Sequence, residues 1–292
     1  MLASKSVGNG FEWHQSGSEM KGKAMAINSP ATSVSKDNSA ATWAGGRVSR
    51  ARQDQLGYGI SIGILMLDCH IPFVPGDVGN ASTYDFPVLF QRVQGATGDA
   101  VITRQDSAIT PYFVEAARLL EAQGVRAITG DCAYMGAYQA AVAEAVEVPV
   151  FLSSLMQVPL VVSMLGRHQK LAVLVANGST VSDRLLVPVG ITGALRDRLV
   201  IRGLEDKEHF RSVILDESGE LDFSRMETEV VESATQVLKD EPSVGAFLLE
   251  CSDLPPYSHA IHRATGLPVF DWIGFISYVH HALVPHPYQG FF

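Results

Sequence analysis

The sequence predicts an α/β protein of two pseudo-symmetric lobes, each built on a mainly parallel sheet, with a cleft between them. Three observations predict it. From Ile60 onward, short apolar runs alternate with helical segments, which is the pattern of successive βα units. A stretch of the chain repeats itself around two cysteines. The chain also has 292 residues, 47% hydrophobic and 18% charged, enough for about two domains with cores of their own.

Residues 1–56 carry Ser, Asn, Gly and Lys without apolar periodicity, and they read as a disordered extension. No run there resembles the hydrophobic centre of a signal peptide. Between Met20 and Gln53 the charges are Lys21, Lys23, Lys36, Arg47, Arg50 and Arg52 against Asp37 alone, a bias that also suits an organelle transit segment. The first lobe is expected over residues 57–165 plus 270–292, and the second over 166–269. Residues 60–67 read as the first strand, followed by a turn-rich stretch over 71–80. Thr110 and Pro111 read as the N-cap and first position of a helix over 111–123, which Gly124 closes. Strands follow at 125–129, 149–152, 171–176, 199–201, 244–249 and 268–270. Helices are expected at 224–239 and, returning to the first lobe, near 273–283.

Composition excludes several classes. Net charge is −9 and no basic stripe appears, so a nucleic-acid partner is not expected. The apolar run at 158–165 stops well short of the roughly 18 to 20 residues that cross a bilayer, so no membrane span is expected. Three distant cysteines, Cys69, Cys132 and Cys251, make no disulfide framework, which points to a reducing compartment and a cytoplasmic location. Gly57, Gly59 and Gly63 precede or lie within the first strand, so they form no dinucleotide fingerprint. Outside the extension the lysines are Lys170, Lys207 and Lys239, none in the repeat, which argues against a pyridoxal phosphate Schiff base. His280, His281 and His286 lack the spacing of a metal site. No cofactor and no metal are expected.

The repeat is the strongest signal. A shift of 119 places Cys132 on Cys251, Val125 on Val244, Ala127 on Ala246, Tyr138 on Tyr257, Ala141 on Ala260, Ala145 on Ala264, and Pro149-Val150-Phe151 on Pro268-Val269-Phe270. That is nine identities over 27 positions without a slip, with Asp131 facing Glu250. Each cysteine then ends a strand and precedes a helix, at the carboxyl edge where open α/β sheets bind ligands. A helix N-terminus favours thiolate. Two thiols reaching one cleft from opposite sides suit removal of a proton beside a carboxylate and its return on the other face. Cys69 has no repeat partner and reads as a packed small hydrophobe.

The segments Ile128-Thr129-Gly130-Asp131-Cys132, Leu248-Leu249-Glu250-Cys251-Ser252-Asp253 and Gly63-Ile64-Leu65-Met66-Leu67-Asp68 resemble the aspartate/glutamate racemase superfamily. Its members are cofactor-independent enzymes with two catalytic cysteines between two α/β lobes. The resemblance runs from about Ile60 to the C-terminus and implies that Cys132 and Cys251 are the paired acid and base. Asp131 before Cys132 and Ala133-Tyr134 after it depart from the Asn and Thr that flank the first cysteine in glutamate and aspartate racemases. With Leu254-Pro255-Pro256-Tyr257, these segments also look like the branch that contains algal dimethylsulfoniopropionate lyases. Such a lyase abstracts the same kind of proton and then expels dimethyl sulfide.

The resemblance implies a small carboxylate substrate, with a homo-oligomer left open. Residues expected to bind it are Asn177, Gly178, Ser179 and Thr180, a turn after a strand whose N–H groups and hydroxyls suit an anion, although the same atoms suit a capping turn. Ser153 is a weaker version of the same idea. Asp68, closing the first strand, is implied by likeness to orient substrate or a cysteine, or else stabilises its own turn. Ser252 joins the set through the second cysteine motif. The leading expectation is α-carbon inversion by two bases, with a lyase on the same scaffold next and a cysteine hydrolase built on Gly130-Asp131-Cys132 third.

Overall fold

The computed structural model describes residue 51, residue 55 and residues 57–291. The extension expected over residues 1–56 therefore lies, apart from residues 51 and 55, outside the described residues.

Strand β1 (Ile62–Met66) pairs in parallel with β2 (Val88–Arg92) on one side and β3 (Ala127–Gly130) on the other. β4 (Val150–Phe151) extends the sheet beyond β3. The order is β2-β1-β3-β4. The second sheet takes β5 (Lys170–Val175), β6 (Leu199–Gly203), β7 (Val244–Leu249) and β8 (Val269–Phe270). Its order, β6-β5-β7-β8, repeats that of the first, and every pairing in both is parallel.

An inner strand of a parallel sheet is covered on both faces, so it reads as a continuous apolar run rather than an alternation. Ile62, Ile64 and Leu65 are fully buried, and their alternation decides what covers them. Leu65 packs with the buried stripe Phe113, Ala116, Ala117 and Leu120 of α1 (Thr110–Ala122). Gly63 allows that helix to close in, because a Cβ there would stand 2.9 Å from Leu120 Cδ1. Ile62 and Ile64 pack on the opposite face with Trp272 and Ile276 of the C-terminal helix, α6 (Trp272–Leu283). Asp271 starts that helix by accepting from the Gly274 N–H at 2.8 Å. Trp272 Nε1 donates to Thr129 Oγ1 at 3.2 Å, fixing the helix to β3.

α2 (Gln139–Ala145), α3 (Val158–Met164), α4 (Phe223–Asp240) and α5 (Ser258–Thr265) complete the layers. In α4 the Asp222 carboxylate caps the N–H groups of Ser224 and Arg225, and Met226, Val230, Ala234 and Val237 face the core. The repeat holds in three dimensions: Tyr138 and Tyr257 occupy the same place before α2 and α5, with φ/ψ of −104°/0° and −100°/0°.

Two expectations need correction. Thr110 is not the cap of α1: it is already helical, and Asp106 instead accepts from the Ala108 N–H at 2.9 Å, starting a 3₁₀ turn at Ser107–Ile109 that leads into the helix. β2 has no counterpart among the expected strands, because an edge strand that is half-buried along four of its five residues has no two-residue burial pattern to read. Among the described residues, no helix is long and apolar enough to cross a membrane.

Candidate active site

The carboxyl ends of the inner strands of both sheets converge on one cavity. Past the end of β3 the Asp131 N–H donates to Leu65 O at 3.0 Å, and past β7 the Glu250 N–H donates to Leu174 O at 2.9 Å. The acid side chains then reach the next N–H of the neighbouring strand. Leu67 N donates to both oxygens of Asp131, at 3.0 and 3.1 Å, and Ala176 N donates to Glu250 Oε2 at 3.3 Å. Each clamp fixes the peptide that carries the following cysteine. Cys132 and Cys251 are 7% and 6% exposed, both are free thiols, and both line the same cavity.

The cavity and the open solvent at its mouth together hold about 430 Å³ not filled by protein atoms, and Cys69, Tyr134, Phe73 and Ile214 help to wall it. Its acidic lining is Asp131, Glu217, Glu250 and Asp253; no lysine, arginine or histidine among the described residues lines it. Hydrogen bonds stitch the walls across the two sheets. Tyr134 Oη donates to Asn177 O, Gln105 Nε2 to Thr180 O, Ser154 Oγ to Glu250 O and His70 N to Glu217 Oε2.

Burial dominates the electrostatics, since a charge taken from water loses solvation. It pushes both thiols well above the ordinary range, and nearby carboxylates add to this: Glu250 and then Asp131 for Cys132, Asp253 and then Glu250 for Cys251. The thiolate expected from a helix N-terminus is therefore not favoured at rest. Cys132 leads into a 3₁₀ turn and α5 begins only at Ser258; the backbone N–H groups of Tyr134 and Asp253 favour the two thiolates but do not offset the burial. Burial likewise raises Asp131 and lifts Glu250 to about 8. Asp77 is pushed up by burial and then by Asp253, with which it shares a hydrogen bond. Burial raises Asp253 as well, and two carboxyls in contact cannot both ionise cheaply, so the pair shares one proton. Asp253 Oδ2 is the acceptor for Cys251 Sγ and Ser252 Oγ, both at 3.3 Å.

Of the residues expected to bind substrate, the structure brings Ser252 to the cavity with the two cysteines. The others serve the scaffold. Ser153, fully buried, caps the Leu155 N–H at 3.2 Å. Asn177 caps Ser179, the N–H groups of Gly178 and Ser179 are taken by Glu205, and the Thr180 hydroxyl donates to Asn177 O. Those donors are spent before any anion arrives. Asp68 is turned outward, its side chain 42% exposed and paired with Arg92 at 3.4 Å. Cys69 packs against the core as expected, and it also faces the cavity.

Sequence reasoning missed Asp77, Asp131, Glu217, Glu250 and Asp253 as site residues. The matched acids before the cysteines carried a signal, since Asp131 and Glu250 coincide under the repeat. Asp77 and Glu217 come from loops outside the repeat and carried none.

No family model matches the chain. A dimethylsulfoniopropionate lyase of Durusdinium sp. clade D is 32% identical over 235 residues, which cover 79% of this chain and 77% of that protein. Dimethylsulfoniopropionate lyase 7 of Emiliania huxleyi is 31% identical over 239 residues, covering 79% of this chain and 69% of the relative. Among solved structures, a variant of arylmalonate decarboxylase in a sulfate-associated form aligns with a TM-score of 0.53 at 20% identity, covering 77% of this chain and 94% of that one. An allantoin racemase from Klebsiella pneumoniae aligns at 0.54 and 15%, covering 77% and 87%. A glutamate racemase from Francisella tularensis aligns at 0.50 and 15%, covering 77% and 81%. These likenesses show the fold. The chain thus has the aspartate/glutamate racemase fold and belongs to the family of the dimethylsulfoniopropionate lyases.

Proposed function

We propose that this protein is a lyase that eliminates dimethyl sulfide from dimethylsulfoniopropionate. The observation that carries the reading is the charge of the cavity: four acidic residues and three thiols line it, with no basic side chain among the described residues. A dicarboxylic amino acid would need cations there, and the N–H groups of Gly178 and Ser179, the turn expected to bind an anion, are taken by Glu205. A sulfonium ion supplies the positive charge the lining lacks. It also lowers the cost of forming a thiolate, because an opposite charge nearby stabilises the ionised form.

Cys251 is the base in this reading, since its thiol already donates to Asp253 Oδ2. The thiol proton passes to Asp253, and the thiolate sulfur takes the proton from the substrate α-carbon. The electron pair of that C–H bond becomes the second bond between the α- and β-carbons. The pair of the β-carbon–sulfur bond leaves with sulfur as neutral dimethyl sulfide, acrylate remains, and one proton returns to solvent.

A second reading, inversion at an α-carbon, keeps one observation in its favour: Cys132 and Cys251 line the same cavity. Proton NMR in deuterated water separates the two. Vinyl protons of acrylate from dimethylsulfoniopropionate support elimination. Deuterium at the α-carbon of recovered aspartate or glutamate, with no alkene from the sulfonium, supports inversion and overturns the lyase reading.

A further inference from the structure

Among the described residues, three buried side-chain polar atoms have no hydrogen-bond partner: Arg202 Nε, Glu250 Oε1 and Asp253 Oδ1. Arg202 lies away from the cavity, and Asp253 shares a hydrogen bond with the carboxyl of Asp77. Glu250 Oε1 is left. An orphaned polar atom in a wholly buried side chain is costly and calls for a cause.

Its repeat mate shows what is unusual. Asp131 spends both oxygens on the Leu67 N–H. Glu250 stands at the same position of the second sheet with one more methylene. It spends Oε2 on the Ala176 N–H and leaves Oε1 buried without a partner, in a residue that lines the cavity. After burial, Glu250 has the largest influence on the Cys132 thiol, and it acts on Cys251 as well, so its carboxyl lies near both sulfurs of the cavity that all three residues line. A protonated carboxyl offers one O–H and requires an acceptor.

We propose that Glu250 is a catalytic residue that donates its carboxyl O–H from Oε1 to the carboxylate of the substrate, leaving the cationic end toward Asp253 and Glu217. This rests on the reading of the cavity as a site for a small carboxylate. Abstraction of the α-proton moves negative charge onto that carboxylate, so a donor placed there stabilises the charge as it develops. The proton is available at neutral pH because burial holds Glu250 at about 8. Above that value the ionised side chain repels the substrate carboxylate. The other titratable groups facing it are Cys251 and Asp253 on its own segment and Asp131, Cys132 and Tyr134 across the cavity. Cys132, Cys251 and Tyr134 are all pushed upward, so they stay protonated through this range. Asp131 and Asp253 both remain when Glu250 is replaced, so a pH dependence that disappears with Glu250 depends on its carboxyl.

The test uses sodium propionate, which has the carboxylate but no leaving group, titrated into the full-length protein by calorimetry between pH 6 and 10. Affinity should be level to about pH 8 and then fall by about tenfold per pH unit. Glu250→Gln keeps an uncharged donor of the same size; it should bind propionate within about threefold of the parent at pH 7 and lose the fall above pH 8. Glu250→Leu should bind at least about tenfold more weakly. The same fall in Glu250→Gln, undiminished binding by a folded Glu250→Leu, or no propionate binding by the parent would overturn the proposal. Because propionate cannot be eliminated, this outcome is independent of whether dimethylsulfoniopropionate is the substrate.

Discussion

Cys251 Sγ donates to Asp253 Oδ2 at 3.3 Å, whereas among the described residues no carboxylate accepts from Cys132, its counterpart under the repeat. Matched positions suggest matched duties. The partners of the two thiols are nevertheless different, and the difference suits a reaction that needs one base.

Replacement of the two cysteines by serine should therefore be unequal. Cys251→Ser should lower kcat for dimethylsulfoniopropionate by about 10²- to 10⁴-fold, the range for a lost general base, and Cys132→Ser by about tenfold or less. Release of dimethyl sulfide under saturating substrate measures both. Equal, severe losses would favour the two-base reading.

Asp253 acts on Cys251 in two opposing ways, and Asp253→Asn separates them. The carboxylate raises the cost of the thiolate by like-charge repulsion, yet it is also the acceptor for the thiol proton. Its loss should speed alkylation of Cys251 by iodoacetamide at fixed pH while slowing elimination by about 10²-fold. A variant slowed in both readouts would show that Asp253 only holds the fold of this segment.

Glu250 also predicts the pH dependence of stability. Its carboxyl rises from 4.5 to about 8 on folding, so the folded state holds the proton more tightly. The stabilisation this gives is complete below about 4.5 and is lost as pH rises through about 8. Glu250→Gln removes that titration, so its Tm should gain on the parent progressively from pH 5 to pH 9. A constant difference between the two melting curves would place the titration elsewhere.

Asn177 should matter to stability and not to turnover. Its side chain caps the 3₁₀ turn at Gly178–Thr180, so Asn177→Ala should cost about 1 kcal/mol in urea unfolding. kcat should be unchanged, because the N–H groups of Gly178 and Ser179 already bond Glu205. A large fall in kcat with little loss of stability would return this turn to the site.

The sequence by itself determined the two parallel sheets and the pairing of Cys132 with Cys251. The apolar runs, the Asp and Gly punctuation and the shift of 119 are local properties of the chain, and a covered parallel strand such as β7 writes its burial into every residue. The sequence also held the acids before both cysteines, although nothing local distinguishes a clamp from a solvated charge. Tertiary structure decided which polar groups are free. It spent the donors of Gly178 and Ser179 on Glu205, turned Asp68 outward to Arg92, and left Glu250 Oε1 without a partner. It also brought Asp77 from the loop after β1 against Asp253. The state of each thiol and carboxyl followed from that assembly, because desolvation depends on everything packed around a group and not on its neighbours in the chain.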